Sequence, residues 1–121
     1  MTAASTSEVL SAIVRNESKL SLIDIRPDSS KVQLPGVIGN AISIQMGETF
    51  ENAFNLKNDQ FKEKFKVSLP DKGGLVILHC NDGRSSSSFL EEIRENMHEI
   101  WARYEFKYVA GGLEQWKRQF E

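Results

Sequence analysis

Apolar positions along the chain change period several times. Val9, Leu10, Ile13 and Val14 recur at helical spacing behind a Ser5–Glu8 pair with capping-box spacing, which predicts an amphipathic helix over residues 6 to 16. "KLSLIDI" (19 to 25) is a mixed alternating and apolar run of strand type, stopped by Pro27 and the polar "PDSSK". A shorter strand, "AISI" (41 to 44), follows the turn residues Pro35, Gly36, Gly39 and Asn40. Phe50 and Phe54, then Phe61 and Phe65, sit four apart, which predicts two helical pieces broken around "LKND". "LVILHC" (75 to 80) is the clearest strand, and "SSSSFLEEIRENMHEIWARY" after it reads as one long helix. "FKYVA" (106 to 110) is a last strand, "GG" a tight turn, and "LEQWKRQF" a terminal helix with Leu113, Trp116 and Phe120 on one face. Strands alternating with helices predict an α/β fold with a mainly parallel sheet.

Length and composition narrow the class. A chain of 121 residues with 40% hydrophobic content is the size of one domain able to bury one core, so residues 1–121 are read as a single unit. Its 15 basic and 17 acidic residues are well mixed and leave a net charge of -2, which offers no footprint for nucleic acid or an anionic membrane. No apolar stretch approaches the roughly 20 residues that span a bilayer, and "MTAASTSEVL" lacks the basic and apolar regions of a secretory signal. The expectation is a soluble, unsecreted protein, with the cytoplasm as default compartment.

Cysteine usage sharpens the question. Cys80 is the one cysteine, so no internal disulfide forms, and with His79 and His98 as the only histidines a four-ligand structural zinc site is out of reach. Neither metal nor cofactor is expected. Cys80 is then either inert packing, since free cysteine is among the most buried residue types, or a nucleophile. Its position favours chemistry: ligands of open parallel sheets bind beyond the carboxyl ends of the strands, where Cys80 falls. Gly83, in the turn "NDGR", permits backbone angles that face successive amides inward as an anion-binding nest, and the following helix adds its N-terminal amides. Those amides and Arg84, the turn's one cation, favour a thiolate there, and Arg84 is read as the binder of an anionic donor. Asp82 opposes by like charge and is expected to face out into water. Ser85 is the best-placed hydroxyl for a pocket around the sulfur. Asp24 and Arg26, two apart on one face of a strand end, are read as support for the loop, and His79 should point to the opposite face of the strand from Cys80.

Four ordered motifs then resemble the single-domain rhodanese family of sulfurtransferases. "CNDGRSS" is similar to the family's active-site loop, "LIDIR" to its first signature, "GVIGNAISI" to its second, and "VAGGLEQW" to its closing strand–Gly–Gly–helix signature. The chain departs from the pattern at Val37, where the second signature usually has His, and in carrying Arg84 alone together with Asp82 where many family loops have two basic residues. The resemblance implies a three-layer fold with a mainly parallel five-stranded sheet flanked by helices. It also implies double displacement: Cys80 takes the outer sulfur of a sulfane donor such as thiosulfate, and the resulting persulfide passes it to cyanide, glutathione or a protein thiol. Asn81, Asp82, Gly83, Arg84 and Ser85 would surround the donor. Two other readings stay open. One is an idle rhodanese-like binding or regulatory module. The other is a cysteine phosphatase or arsenate reductase of related fold, which needs arginine where this chain has Ser86.

Overall fold

The computed structural model describes residues 2–15 and 19–121. Its centre is a sheet of five strands, all parallel, in the spatial order β1-β5-β4-β2-β3. The strands are β1 (Ala3–Ala4), β2 (Leu20–Asp24), β3 (Ile42–Ser43), β4 (Leu75–His79) and β5 (Glu105–Val109). Among the described residues seven helices connect and cover them: α1 (Thr6–Val14), α2 (Asp28–Gln33), α3 (Glu48–Phe54), α4 (Asn58–Phe65), α5 (Arg84–Asn96), α6 (His98–Arg103) and α7 (Gly112–Phe120). No helix among the described residues is long and apolar enough to cross a membrane.

Strand alternation divides the core into two layers. Ile23, Val76, Leu78 and Phe106 face a cluster built from α3, α4, α5 and α6, where Phe50, Phe54, Phe61, Phe89, Ile93, Ile100 and Tyr104 are buried. Its rings pack in specific pairs: Phe50 stacks on Phe54 at 4.4 Å and meets Phe89 edge-on at 5.1 Å. Leu22, Ile77 and Val109 face the opposite way, onto Val9 of α1 and Leu113 and Trp116 of α7. Helices α1 and α7 are joined further by the Thr6 hydroxyl, which donates to Gln119. This is the three-layer arrangement that the family resemblance implies.

Several elements differ from the sequence reading. The stretch "PDSSK" is not simply a turn: Asp28–Gln33 form a one-and-a-half-turn helix that buries no side chain, so it carries no periodic signal. β1 consists of two alanines, held at the edge of β5 by Tyr108 N–H donating to Thr2 O and Ala110 N–H to Ala4 O, both at 2.8 Å. The single long helix after the cysteine turn is two helices. Met97, at φ -127° and ψ 58°, ends α5 and redirects the chain into α6. No Pro or Gly marks the break, and Ile93, Met97, Ile100 and Tyr104 are all buried at spacings that also suit an unbroken helix. The helix expected over 6 to 16 starts with the reciprocal Ser5–Glu8 cap, two bonds of 3.1 Å, and runs to Val14. Its expected last residue, Asn16, lies outside the described residues.

Candidate active site

Register places the site. β2 and β4 pair with Asp24 opposite His79, so the next residues out, Arg26 on one strand and Cys80 and Asn81 on the other, emerge side by side at the carboxyl edge of the sheet. Ile25 N–H donates to His79 O at 3.0 Å and continues the ladder to the start of the loop.

Cys80 lies under its loop. Gly83 N–H and Ser86 N–H reach its Sγ at 3.2 and 3.4 Å, one amide from the turn and one from the first turn of α5. Gly83 makes this possible: it caps α5 at φ 94°, in the left-handed region, and turns its own amide back toward the sulfur. Two converging amide dipoles at a helix N-terminus stabilise negative charge on that sulfur. The residue is only 3% exposed. Close by, the Ser86 hydroxyl is buried with no hydrogen-bond partner among the described residues. Ser85, singled out from the sequence, is exposed instead, in a surface groove with Met46, Arg84, Ser88, Phe89 and Glu92. An orphaned buried hydroxyl is a property of packing, and four consecutive serines give the sequence no means of ranking them.

Asp24 and Arg26 form the frame beneath. Arg26 is 2% exposed and uses every N–H of its guanidinium. Nε and Nη2 donate to the two oxygens of Asp24, both at 2.9 Å, as a bidentate pair. Nη1 donates to Leu34 O at 2.6 Å and to Asn81 Oδ1 at 3.0 Å, and Nη2 to Gly36 O at 2.7 Å. A buried cation thus ties the second residue of the cysteine loop to β2 and to the segment after α2. Asn81, expected to face the donor, directs its side-chain oxygen into this frame. His79 sits on the other face: its Nε2 accepts from Ile38 N–H at 3.3 Å. Burial pushes the imidazole down to about 4; Arg26 reinforces this, and Asp24 opposes it without reversing it. His79 is therefore neutral at physiological pH.

Asp82 and Arg84 face each other at the surface. The carboxylate is about one-third exposed, and it accepts from Arg84 N–H at 3.0 Å through Oδ1 and from Arg84 Nε at 2.9 Å through Oδ2, with Nη2 at 2.8 Å from the same oxygen. The Arg84 amide and then its side chain hold the Asp82 carboxyl below the usual carboxylate range. Asp82 does turn outward, and the partner that it finds there is the loop's own cation.

A further support was not read as such in the sequence. Leu113 N–H and Glu114 N–H, in the first turn of α7, donate to Cys80 O at 2.9 Å and Asn81 O at 2.8 Å. Gly111 and Gly112, taken only as turn formers, let α7 come this close. A Cβ on Gly112, whose φ is 62°, would lie 2.6 Å from both loop carbonyl oxygens. Gly112→Ala is accordingly expected to cost about 2–4 kcal/mol, backbone strain and overpacking together. Gly73→Ala supplies the control, because Gly73 also has positive φ but nothing within 4 Å of a Cβ, and about 1 kcal/mol is expected from strain alone. Urea midpoints of the two variants check the difference. Among the described residues no group of three or more His, Cys, Asp or Glu gathers that could hold a metal ion.

A parallel sheet covered on both faces, with a lone cysteine in an amide-lined turn between a strand and a helix, defines a class of cysteine-loop α/β domains. The chain belongs to the rhodanese-like domain family, whose model matches residues 5–119. Solved structures share the fold across nearly the whole chain. The human single-domain sulfurtransferase TSTD1 superposes with a TM-score of 0.78 at 17% identity, covering 100% of this chain and 99% of that one. The Saccharomyces cerevisiae single-domain sulfurtransferase RDL2 gives 0.71 at 16% identity, covering 98% and 90%. A rhodanese-like domain protein from Staphylococcus aureus gives 0.59 at 21% identity, covering 96% and 91%. At such identities the likeness is one of fold. No curated protein sequence matches the chain.

Proposed function

We propose that the protein is a sulfurtransferase in which Cys80 carries a sulfane sulfur as a persulfide. The observation that carries this reading is the pair of amides, from Gly83 and Ser86, donating to Cys80 Sγ at the carboxyl end of β4. In the first step the Cys80 thiolate bonds to the outer sulfur of a donor such as thiosulfate, the donor S–S bond breaks, and sulfite leaves with the electron pair. In the second an acceptor such as cyanide, glutathione or a protein thiol bonds to the outer sulfur of the persulfide, and the electron pair returns to Cys80. Covalent catalysis of this kind splits a difficult transfer into two displacements, and fixed donors around the sulfur stabilise each anionic form. The unpartnered Ser86 hydroxyl is available to the added sulfur. Asp24, Arg26 and the N-terminal amides of α7 act as positioning groups, holding Asn81 and the Cys80 carbonyl so that the amides stay aimed.

A second reading, an idle rhodanese-like module used for binding, is favoured by one observation, the 3% exposure of Cys80. Parallel assays separate the readings. Thiosulfate with cyanide should yield thiocyanate, while an aryl phosphate should release no phenol. Thiocyanate no faster than without protein, given a folded chain, favours the idle module. Phenol release in place of thiocyanate would make the protein a phosphatase, although Ser86 holds the position where that chemistry needs arginine.

A further inference from the structure

Sulfur donors differ in how much negative charge they bring to the cysteine loop. In thiosulfate the sulfonate is bonded directly to it, so the dianion must enter the cysteine loop. In an organic persulfide the neighbour is a second sulfur on a carbon stem, and the sulfur pair carries one negative charge when its acidic S–H is ionised and none as R–S–SH. The loop meets this choice with one cation, Arg84, and its disposition decides which donor it suits.

That cation is already occupied. Asp82 uses both carboxylate oxygens on Arg84 and takes its backbone N–H as well as its guanidinium, so the loop's one positive charge is engaged within the loop. The arrangement is local. Arg84 opens α5 directly after Gly83, and its backbone amide and side chain reach a carboxylate only two residues earlier. Pairing therefore orders few additional torsions. The surroundings add negative charge: Glu92 shares the groove of Arg84 and Ser85, and Glu114 is near enough to act on the Arg84 guanidinium. Met46 and Phe89 give the same groove apolar wall.

We propose that the Asp82–Arg84 pair selects the donor: it withholds the loop's cation from small dianions and leaves beside the loop a neutral-to-acidic, partly apolar groove suited to organic persulfides that bring one negative charge or none to the sulfur pair. This rests on the sulfurtransferase reading above and deepens it. Thiosulfate is then a slow donor. With a persulfide R–S–SH, the Cys80 thiolate bonds to the outer sulfur, the donor S–S bond breaks, and R–S⁻ leaves with the electron pair while the proton stays on the transferred sulfur. The stem R lies along Met46 and Phe89.

The test measures second-order rate constants for persulfidation of Cys80, read by mass, in the full chain at low ionic strength. The donors are thiosulfate, a dianion, and the persulfide of N-acetylcysteine methyl ester, which carries one negative charge when ionised and no other. Asp82→Asn keeps an acceptor oxygen for the Arg84 amide and frees the guanidinium's charge. It should raise the thiosulfate-to-persulfide ratio by about tenfold, the range of one charge-assisted contact. Arg84→Ala in that background should remove the gain, and 0.5 M KCl should shrink it. Arg84→Ala alone should change the wild-type ratio less than about threefold, as for an exposed, already neutralised charge. A ratio unmoved by Asp82→Asn, or a tenfold fall on Arg84→Ala alone, overturns the proposal. Wild type that takes sulfur from neither donor overturns the sulfurtransferase reading, and donor selection falls with it.

Discussion

Cys80→Ser is expected to lower sulfur transfer by about a thousandfold or more, to the background rate, because a serine hydroxyl at neutral pH is a poor nucleophile and offers no sulfur to form a persulfide. The fold should survive. Serine is close to cysteine in volume, and its oxygen can accept from the Gly83 and Ser86 amides that now donate to Sγ. A stability change within about 1 kcal/mol is expected, so circular dichroism and a urea midpoint near wild type would show that lost transfer reflects chemistry. Transfer persisting undiminished in the folded variant would mean that sulfur moves without this residue.

Arg26→Met should produce the largest loss of stability. It leaves the Asp24 carboxylate, wholly buried, without its bidentate partner, and strips the donors from Leu34 O, Gly36 O and Asn81 Oδ1. Breaking a buried ion pair from one side costs about 3–5 kcal/mol, since an uncompensated charge remains. That is a large share of the roughly 5–15 kcal/mol that holds a domain folded. The expected fall in melting temperature is about 10–25 °C. Asp24→Asn combined with Arg26→Met should be less damaging than Arg26→Met alone, because the stranded charge is gone. A double variant as unstable as the sum of its parts would mean that the two side chains do not act as a pair.

These outcomes depend on features that differ in how plainly the sequence shows them. β2, β4 and β5 are legible because aliphatic and β-branched runs end at turn residues, and α1 because Ser5 and Glu8 cap it. The paired phenylalanines mark α3 and α4 because both pairs face the aromatic core. α2 buries nothing and β1 is two alanines, so neither leaves a pattern to read. The break at Met97 is hidden because buried positions keep helical spacing across it. In the site, Cys80 and Gly83 stand out from local chemistry alone. The reach of Arg26 to Asn81 spans 55 positions and depends on the parallel register of β2 with β4. The α7 amides on the Cys80 and Asn81 carbonyls depend likewise on where β5 ends beside β4. Asp82 and Arg84 were legible as opposed charges two apart, but only the turn geometry after Gly83 shows them bonded to each other.

The central claim is a persulfide on Cys80, and the most direct measurement is the mass of the peptide that bears it. Folded wild-type protein is incubated with thiosulfate and, separately, with the persulfide of N-acetylcysteine methyl ester, then digested without reductant. The account predicts a gain of about 32 Da on the Cys80 peptide, reversed by cyanide or dithiothreitol, with no gain in Cys80→Ser. A Cys80 peptide of unchanged mass after saturation with both donors would contradict it.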